Sequence, residues 1–141
     1  RIDLLIINEE EARQLTGRHH LVEVQRALLA LGPTTVIVKQ GEYGAFLFDD
    51  VGAFHAPAFP VEDVVDPTGA GDTFAGAMLG YLDAHHGHLT GAALRRAVVH
   101  GSAVASLCVE QYGTKGVVDA TEAHVQERVR AFGRLVHYDN I

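Results

Sequence analysis

The sequence predicts an α/β fold in which helices pack against a partly parallel sheet. Over the first forty residues, short β-branched apolar runs alternate with segments whose apolar residues recur every three or four positions. That alternation is typical of parallel strands joined by helices. With 48% hydrophobic residues, the 141-residue chain can form one packed domain or a large piece of one.

Four strands and two helices are predicted in the first half of the chain. The strands cover 2–7, 35–38, 45–48 and 53–56, and the helices cover 9–15 and 21–31. The first helix begins with acidic residues in its first turn and ends at Gly17. The second helix ends at Gly32 and Pro33.

The second half is predicted to be mostly helical. A short strand at 64–65 leads into helices at 71–85, 91–107 and 121–132. The adjacent histidines His85, His86 and His88 point in different directions and have no acidic or cysteine partner at ligand spacing. We therefore expect an exposed loop there rather than a metal site.

Composition narrows the class of protein. Eighteen acidic residues against eleven basic ones give a net charge of −7, which argues against nucleic acid or an anionic membrane as the main partner. No segment approaches the roughly 18 uninterrupted apolar residues of a membrane span. The only cysteine is Cys108, in an apolar run, so we expect a core residue, no internal disulfide and a cytoplasmic setting. The chain begins with Arg1 and leads directly into a strand, so we expect it to start inside a larger fold.

The string DPTGAGDTFAG, at residues 66–76, places two glycines and an acid where a helix begins. Pro67 disfavours helix at the residue before it, and Gly69 and Gly71 can adopt positive φ without placing a side chain near a ligand. The N–H groups at the helix start would then bind an anion such as phosphate. Asp72 could take a proton from a hydroxyl group that attacks that phosphate, or it could simply cap its own helix.

The whole string from Asp66 to Met78 resembles the C-terminal signature of the ribokinase-like (PfkB-type) carbohydrate kinases. Asn8 and Glu11, after a strand, are similar to the N-x-x-E motif of that family, and residues 39–44 resemble its G-x-x-G nucleotide turn. The resemblance implies a three-layer α/β/α fold with helices on both faces of the sheet. It also implies an ATP-dependent kinase that uses Mg²⁺ and phosphorylates a hydroxyl group of a small sugar.

The resemblance implies a role for each matching position. Asp72 would be the catalytic base. The anion hole would be formed by the amides of Gly69, Ala70 and Gly71. ATP would be bound by Asn8, Lys39, Gly41, Gly44, Gly101 and Ser102, with the adenine pocket formed by residues 100–104 and the turn at 112–113. Metal ions would be held by Glu11 (Mg²⁺, through water) and by Asp66 and Thr68 (a monovalent cation such as K⁺).

Each of these roles has a simpler alternative. Glu11 could lie on a solvated helix face, and Lys39, where many relatives carry threonine, could be a strand-end lysine facing water. Asp66 could satisfy turn amides. Small residues such as Gly101 and Ser102 also serve helix packing.

The resemblance covers the chain, 1–141, as the C-terminal, ATP-binding and catalytic part of a kinase domain. The family's N-terminal half, with most sugar contacts and a β-stranded lid, has no counterpart here. The substrate is therefore left open between a sugar and a nucleoside such as adenosine. Dimers of the family often pair through the lid, so the sequence also leaves open whether the protein forms a homodimer through that missing part. A nucleotide-binding module without turnover is the remaining alternative.

Overall fold

The computed structural model describes residues 2–87 and 89–139, so the predictions about Arg1 and His88 lie outside the described residues. The strands are β1 (Leu4–Asn8), β2 (Thr35–Lys39), β3 (Ala45–Phe48) and β4 (Ala53–Ala56). The helices are α1 (Glu9–Thr16), α2 (Leu21–Ala30), α3 (Ala70–Ala84), α4 (Gly91–Val109), α5 (Lys115–Val118) and α6 (Glu122–Val136). A 3₁₀ turn covers Gly41–Tyr43.

The four strands form one sheet in the order β1-β2-β3-β4. β1 and β2 are parallel, and β3 and β4 are antiparallel to their neighbours, which confirms the partly parallel sheet. In the parallel pair Asn8 lies opposite Lys39, at the carboxyl ends of both strands. The sheet therefore brings the ends of two predicted motifs to the same edge.

Helices cover both faces of the sheet, as the resemblance implied. Alternate residues of β2 point to opposite faces because side chains alternate along a strand. Val36 and Val38 pack in a core with α1 and α2, whereas Ile37 belongs to a second core with α3, α4 and α6. All three side chains are fully buried.

α4 lies at the centre of the second core. It is long and apolar enough to cross a membrane by length and composition alone, yet half of it is buried inside the fold. A Cβ atom on Gly101 would lie 2.8 Å from the Phe74 carbonyl oxygen and 3.2 Å from the Met78 Cβ. The missing side chain thus lets α3 and α4 pack closely, and the helix-packing alternative holds for Gly101.

One sequence-based prediction of secondary structure is wrong, and one short helix was missed. Residues 64–65 form no strand: Val64 is 60% exposed, and the Val65 N–H donates to the Val109 carbonyl oxygen at the end of α4. The short helix α5 was not predicted. A Cβ on its Gly116 would lie 3.2 Å from the Cys108 Cα, so this helix depends on close packing against α4 that local sequence does not reveal.

Replacing Gly101 with alanine tests the helix packing. We expect Gly101→Ala to destabilise the fold by about 1–3 kcal/mol, because α3 and α4 would have to separate. The matched control is Gly133→Ala on α6, whose added Cβ would meet no atom within 4 Å. The control should be neutral or stabilising by up to about 1 kcal/mol. Urea unfolding of both variants measures the difference, and equal stabilities would contradict the packing role.

Candidate active site

The N-terminus of α3 presents unpaired backbone donors. Gly69, with φ 80°, is the residue before the helix, and the Ala70 N–H donates to the Pro67 carbonyl oxygen over 3.2 Å. Within the described part of the chain, the N–H groups of Gly69, Gly71 and Asp72 donate to no protein acceptor. Of the three amides predicted to form the anion hole, only that of Ala70 therefore has a protein acceptor, and the Asp72 N–H is a further unpaired donor beside them.

The glycines of this turn serve different purposes. Only Gly69 needs the left-handed backbone, since Gly71 lies inside α3 and has no positive φ. A Cβ on Gly71 would lie 3.0 Å from the Lys39 Nζ. The absent side chain therefore makes room for an ammonium group above the first turn of the helix.

Lys39 ends β2, and its side chain is partly exposed. Among the residues described, no carboxylate lies within 4.0 Å of its Nζ. A cation beside a helix N-terminus is unfavourable, because that end of the helix carries about half a positive charge. The unpaired ammonium and the unpaired amides together form a site suited to an anion.

The N-x-x-E motif forms a capping box. The Asn8 Oδ1 accepts the Glu11 N–H over 2.8 Å, and the Glu11 Oε2 accepts the Asn8 N–H over 3.1 Å. The sequence analysis missed this reciprocal pair, although a cap residue followed three positions later by glutamate is its known signature. The exposed Glu11 Oε1 accepts no hydrogen bond from the described chain, so one carboxylate oxygen suits a magnesium-bound water.

The turn after β2 depends on glycine at both of its ends. Gly41 has φ 58° and Gly44 has φ 98°. A Cβ on Gly44 would collide with the Ala56 carbonyl oxygen and lie 2.8 Å from the Ala58 nitrogen. The Gln40 N–H closes the turn by donating to the Gly44 carbonyl oxygen over 2.7 Å. The backbone can therefore approach the next segment closely.

A cavity of about 540 Å³ lies between this turn, segment 57–67, the start of α3 and one face of α4. Of the residues assigned to ATP and the anion, it is lined by Lys39, Gly41, Gly44, Ala70, Gly71 and Ser102. Lining residues that the sequence analysis missed include Phe59, Val61, Val64, Ala105, Ser106 and Val109. The last three follow Ser102 at helical spacing, and that spacing could have identified them.

Most predicted members of the adenine pocket lie elsewhere. Gly101 packs against α3, as described above. The His100 ring faces a different groove, where it lies 5.0 Å from the Tyr81 ring, and burial lowers its pKa. Of the residues predicted for this pocket, 100–104 and 112–113, only Ser102 lines the cavity.

Comparison with known proteins matches residues 1–121 to the family described as pfkB family carbohydrate kinase. The chain belongs to this family. The glycine turn, Asp72 and the cavity described above all lie within the matched residues.

Three known proteins illustrate its similarity. A cytidine kinase of Thermococcus kodakarensis is 39% identical over 82 residues, or 56% of this chain and 29% of the relative. The aminoimidazole riboside kinase of Salmonella enterica, solved with aminoimidazole riboside and an ATP analog, superposes with a TM-score of 0.79 at 30% identity, covering 90% of this chain and 42% of that one. The Arabidopsis thaliana ribokinase solved with ribose and ATP superposes with a TM-score of 0.75 at 29% identity. The match covers 92% of this chain and 41% of the ribokinase. The pfkB family chain thus spans less than half the length of these relatives.

In this pfkB family member, the Asp66 side chain joins the turn before α3 to the turn after α4. Its Oδ1 accepts the Thr68 N–H over 2.9 Å, and its Oδ2 accepts the Gly113 N–H over 3.0 Å. Both hydrogen bonds lower the pKa of Asp66, and the bond from Gly113 has the larger effect. The contacts support the turn-amide alternative, and a cation at Asp66 and Thr68 stays a prediction. No cluster of three or more histidine, cysteine, aspartate or glutamate side chains suited to a metal occurs among residues 2–87 and 89–139.

Cys108 lies beneath these loops. It is 2% exposed, with its Sγ 3.5 Å from the Thr73 Oγ1, and the core position is confirmed. His85 and His86 are exposed, as expected for a loop.

The loop-joining role of Asp66 predicts a pH-dependent contribution to stability. Because its pKa is lowered by folding, the contribution is present above the unfolded pKa of about 3.9 and is lost as pH falls through the folded value. Asp66→Asn should therefore lower the thermal midpoint at pH 7, and the difference from wild type should shrink below about pH 4.

Thermal unfolding between pH 7 and pH 3 measures this difference. Asp63→Asn is the matched control, because that exposed carboxylate makes no hydrogen bond within the described chain. A difference between Asp66→Asn and wild type that stays constant across the range would contradict the role.

Proposed function

We propose that this chain is the nucleotide-binding and catalytic part of an ATP-dependent kinase that phosphorylates a hydroxyl group of a small sugar. One observation carries the proposal: unpaired N–H groups and an unpaired ammonium meet at the end of a cavity, beside an exposed carboxylate. An anion and a proton acceptor at one place are what phosphoryl transfer to an alcohol requires.

The anion site would bind the transferred phosphoryl group. The N–H groups of Gly69, Gly71 and Asp72 would donate to its oxygens, and the Lys39 ammonium would offset its charge. Donors fixed by the fold need no reorganisation as charge develops, and removing one such donor typically costs about 100- to 1000-fold in rate. The helix dipole of α3 adds to the same field.

Asp72 would act as the general base. It is exposed and accepts no hydrogen bond within the described chain, so both oxygens can reach an incoming hydroxyl group. As the substrate oxygen bonds to the γ-phosphorus, its proton passes to the carboxylate and the bond to the bridging oxygen breaks. ADP leaves with the electron pair of that bond.

The cavity would hold the rest of the nucleotide. Its volume of about 540 Å³ falls within the range of roughly 300–1,000 Å³ typical of small-molecule pockets. Ala105 and Val109 on α4 and Phe59 opposite supply apolar surface for a base. The glycine turn at 41–44 supplies backbone that a nucleotide can approach closely.

Metal ions would assist binding in this proposal. Asn8 and Glu11 would hold Mg²⁺ through water, and the ion would offset charge on the ATP phosphates. The single unpaired oxygen of Glu11 suits this sparse ligation. A K⁺ ion near Asp66 and Thr68 rests on the family resemblance alone, because both Asp66 oxygens already accept an N–H bond.

A nucleoside is the second candidate acceptor. Similarity to a cytidine kinase and to an aminoimidazole riboside kinase favours it. Phosphorylation assays with ribose and fructose against cytidine and adenosine would separate the two. A cytoplasmic location and small-molecule partners alone remain predictions, and a homodimer formed through a lid stays open.

Asp72→Asn tests the proposed reaction. We expect turnover to fall by about 100- to 10,000-fold, the usual contribution of a general base, while ATP binding is retained. Asp83→Asn, which changes an exposed acid near the other end of α3, should leave turnover unchanged. Phosphoryl transfer to a sugar panel and ATP binding by calorimetry measure the two effects.

Equal turnover by Asp72→Asn and wild type would show that this residue is not the base. ATP binding by wild type without phosphorylation of any sugar or nucleoside would favour the nucleotide-binding module instead. Lack of ATP binding by wild type would overturn the proposed function altogether.

A further inference from the structure

We propose that Arg128, on α6, positions one wall of the nucleotide cavity and so increases the affinity for nucleotide. The inference rests on the proposed function, since it assumes that this cavity binds the nucleotide. α6 begins at Glu122 and lies outside residues 1–121, which match the family. The contribution therefore belongs to this chain's own C-terminal helix.

The wall in question is segment 57–64, which has no regular secondary structure. Ala58, Phe59, Pro60, Val61 and Val64 from this segment line the cavity. Hydrogen bonds hold it at its first residue and just after its last one. The Ser102 hydroxyl donates to the Pro57 carbonyl oxygen over 3.4 Å, and the Val65 N–H donates to the Val109 carbonyl oxygen over 2.8 Å.

Between those two attachments, no residue of 58–64 makes a hydrogen bond to the described chain. The segment is held there by the side chain of Phe59, which packs against the core. The Arg128 guanidinium carbon lies 4.8 Å from the centre of the Phe59 ring, and the Phe132 ring lies 6.4 Å from it. Two side chains of α6 thus set the position of the ring.

The guanidinium group is itself fixed in place. Its Nη2 donates to both carboxylate oxygens of Glu110, over 2.9 and 3.0 Å, and its Nη1 donates to the Ser106 Oγ over 2.8 Å. The side chain is only 17% exposed. Since Ser106 lies in the opposite wall, on α4, one arginine joins the two walls of the cavity.

A fixed wall favours binding because less conformational freedom is lost when the nucleotide enters. Removing the guanidinium removes its contact with the Phe59 ring and lets segment 57–64 move away from α4. Stacking of an arginine on an aromatic ring is sensitive to the planar shape of the group, so lysine is an incomplete replacement.

The test is the dissociation constant of a fluorescent ADP analogue, measured for the wild type and four variants. We expect Arg128→Ala to raise the dissociation constant about three- to tenfold and Arg128→Lys to raise it less. The matched control is Arg130→Ala on the same helix, an exposed arginine paired with Glu127, which should bind as the wild type does.

A second control separates positioning from general stability. Val24 is buried in the core on the other face of the sheet, so Val24→Ala should lower the thermal midpoint without changing the dissociation constant. Unchanged binding by Arg128→Ala would overturn this inference and leave the proposed function standing. Equal weakening by Val24→Ala would also overturn it, and lack of binding by wild type would overturn both.

Discussion

The candidate site depends on one contact, between the Lys39 side chain and the N-terminus of α3. The Lys39 ammonium lies over Gly71, at the end of α3 that already carries partial positive charge. No carboxylate within 4.0 Å compensates this ammonium in the described residues. Placing a cation at a helix N-terminus costs about 0.3–1 kcal/mol in the protein without ligand. A phosphate group between the ammonium and the helix N-terminus would attract both and make the interaction favourable. The arrangement is therefore suited to an anion, as the proposed function requires.

The parallel pairing of β1 and β2 positions Lys39 at this edge of the sheet. The two strands end at the same edge, so that Asn8 and Lys39 lie side by side, and the capping box on Asn8 starts α1 there. The alternation of side chains along β2 commits one face to α1 and α2 and the other to α3 and α4. On that face, α3 begins near the end of β2, where Gly71 approaches Lys39. Gly69 and Gly71 let it begin within reach of the lysine.

Much of the secondary structure could be predicted from local sequence. The hairpin strands at 45–48 and 53–56 were predicted residue for residue, because alternation and turn residues are local signals. What failed depends on contacts between distant segments. Val65 bonds to Val109 instead of to a strand, and Gly101 serves packing against α3. Arg128 gave no signal, because its partners are 18 to 69 residues away in sequence.

The central claim is that the start of α3 binds the transferred phosphoryl group. Nuclear magnetic resonance of ¹⁵N-labelled protein, titrated with ADP and aluminium fluoride as a mimic of that group, tests it most directly. The account predicts the largest amide shifts at Gly69, Gly71 and Asp72 and a smaller one at Ala70, whose N–H is already bonded. Unchanged signals at those amides, with shifts confined to residues elsewhere, would contradict it.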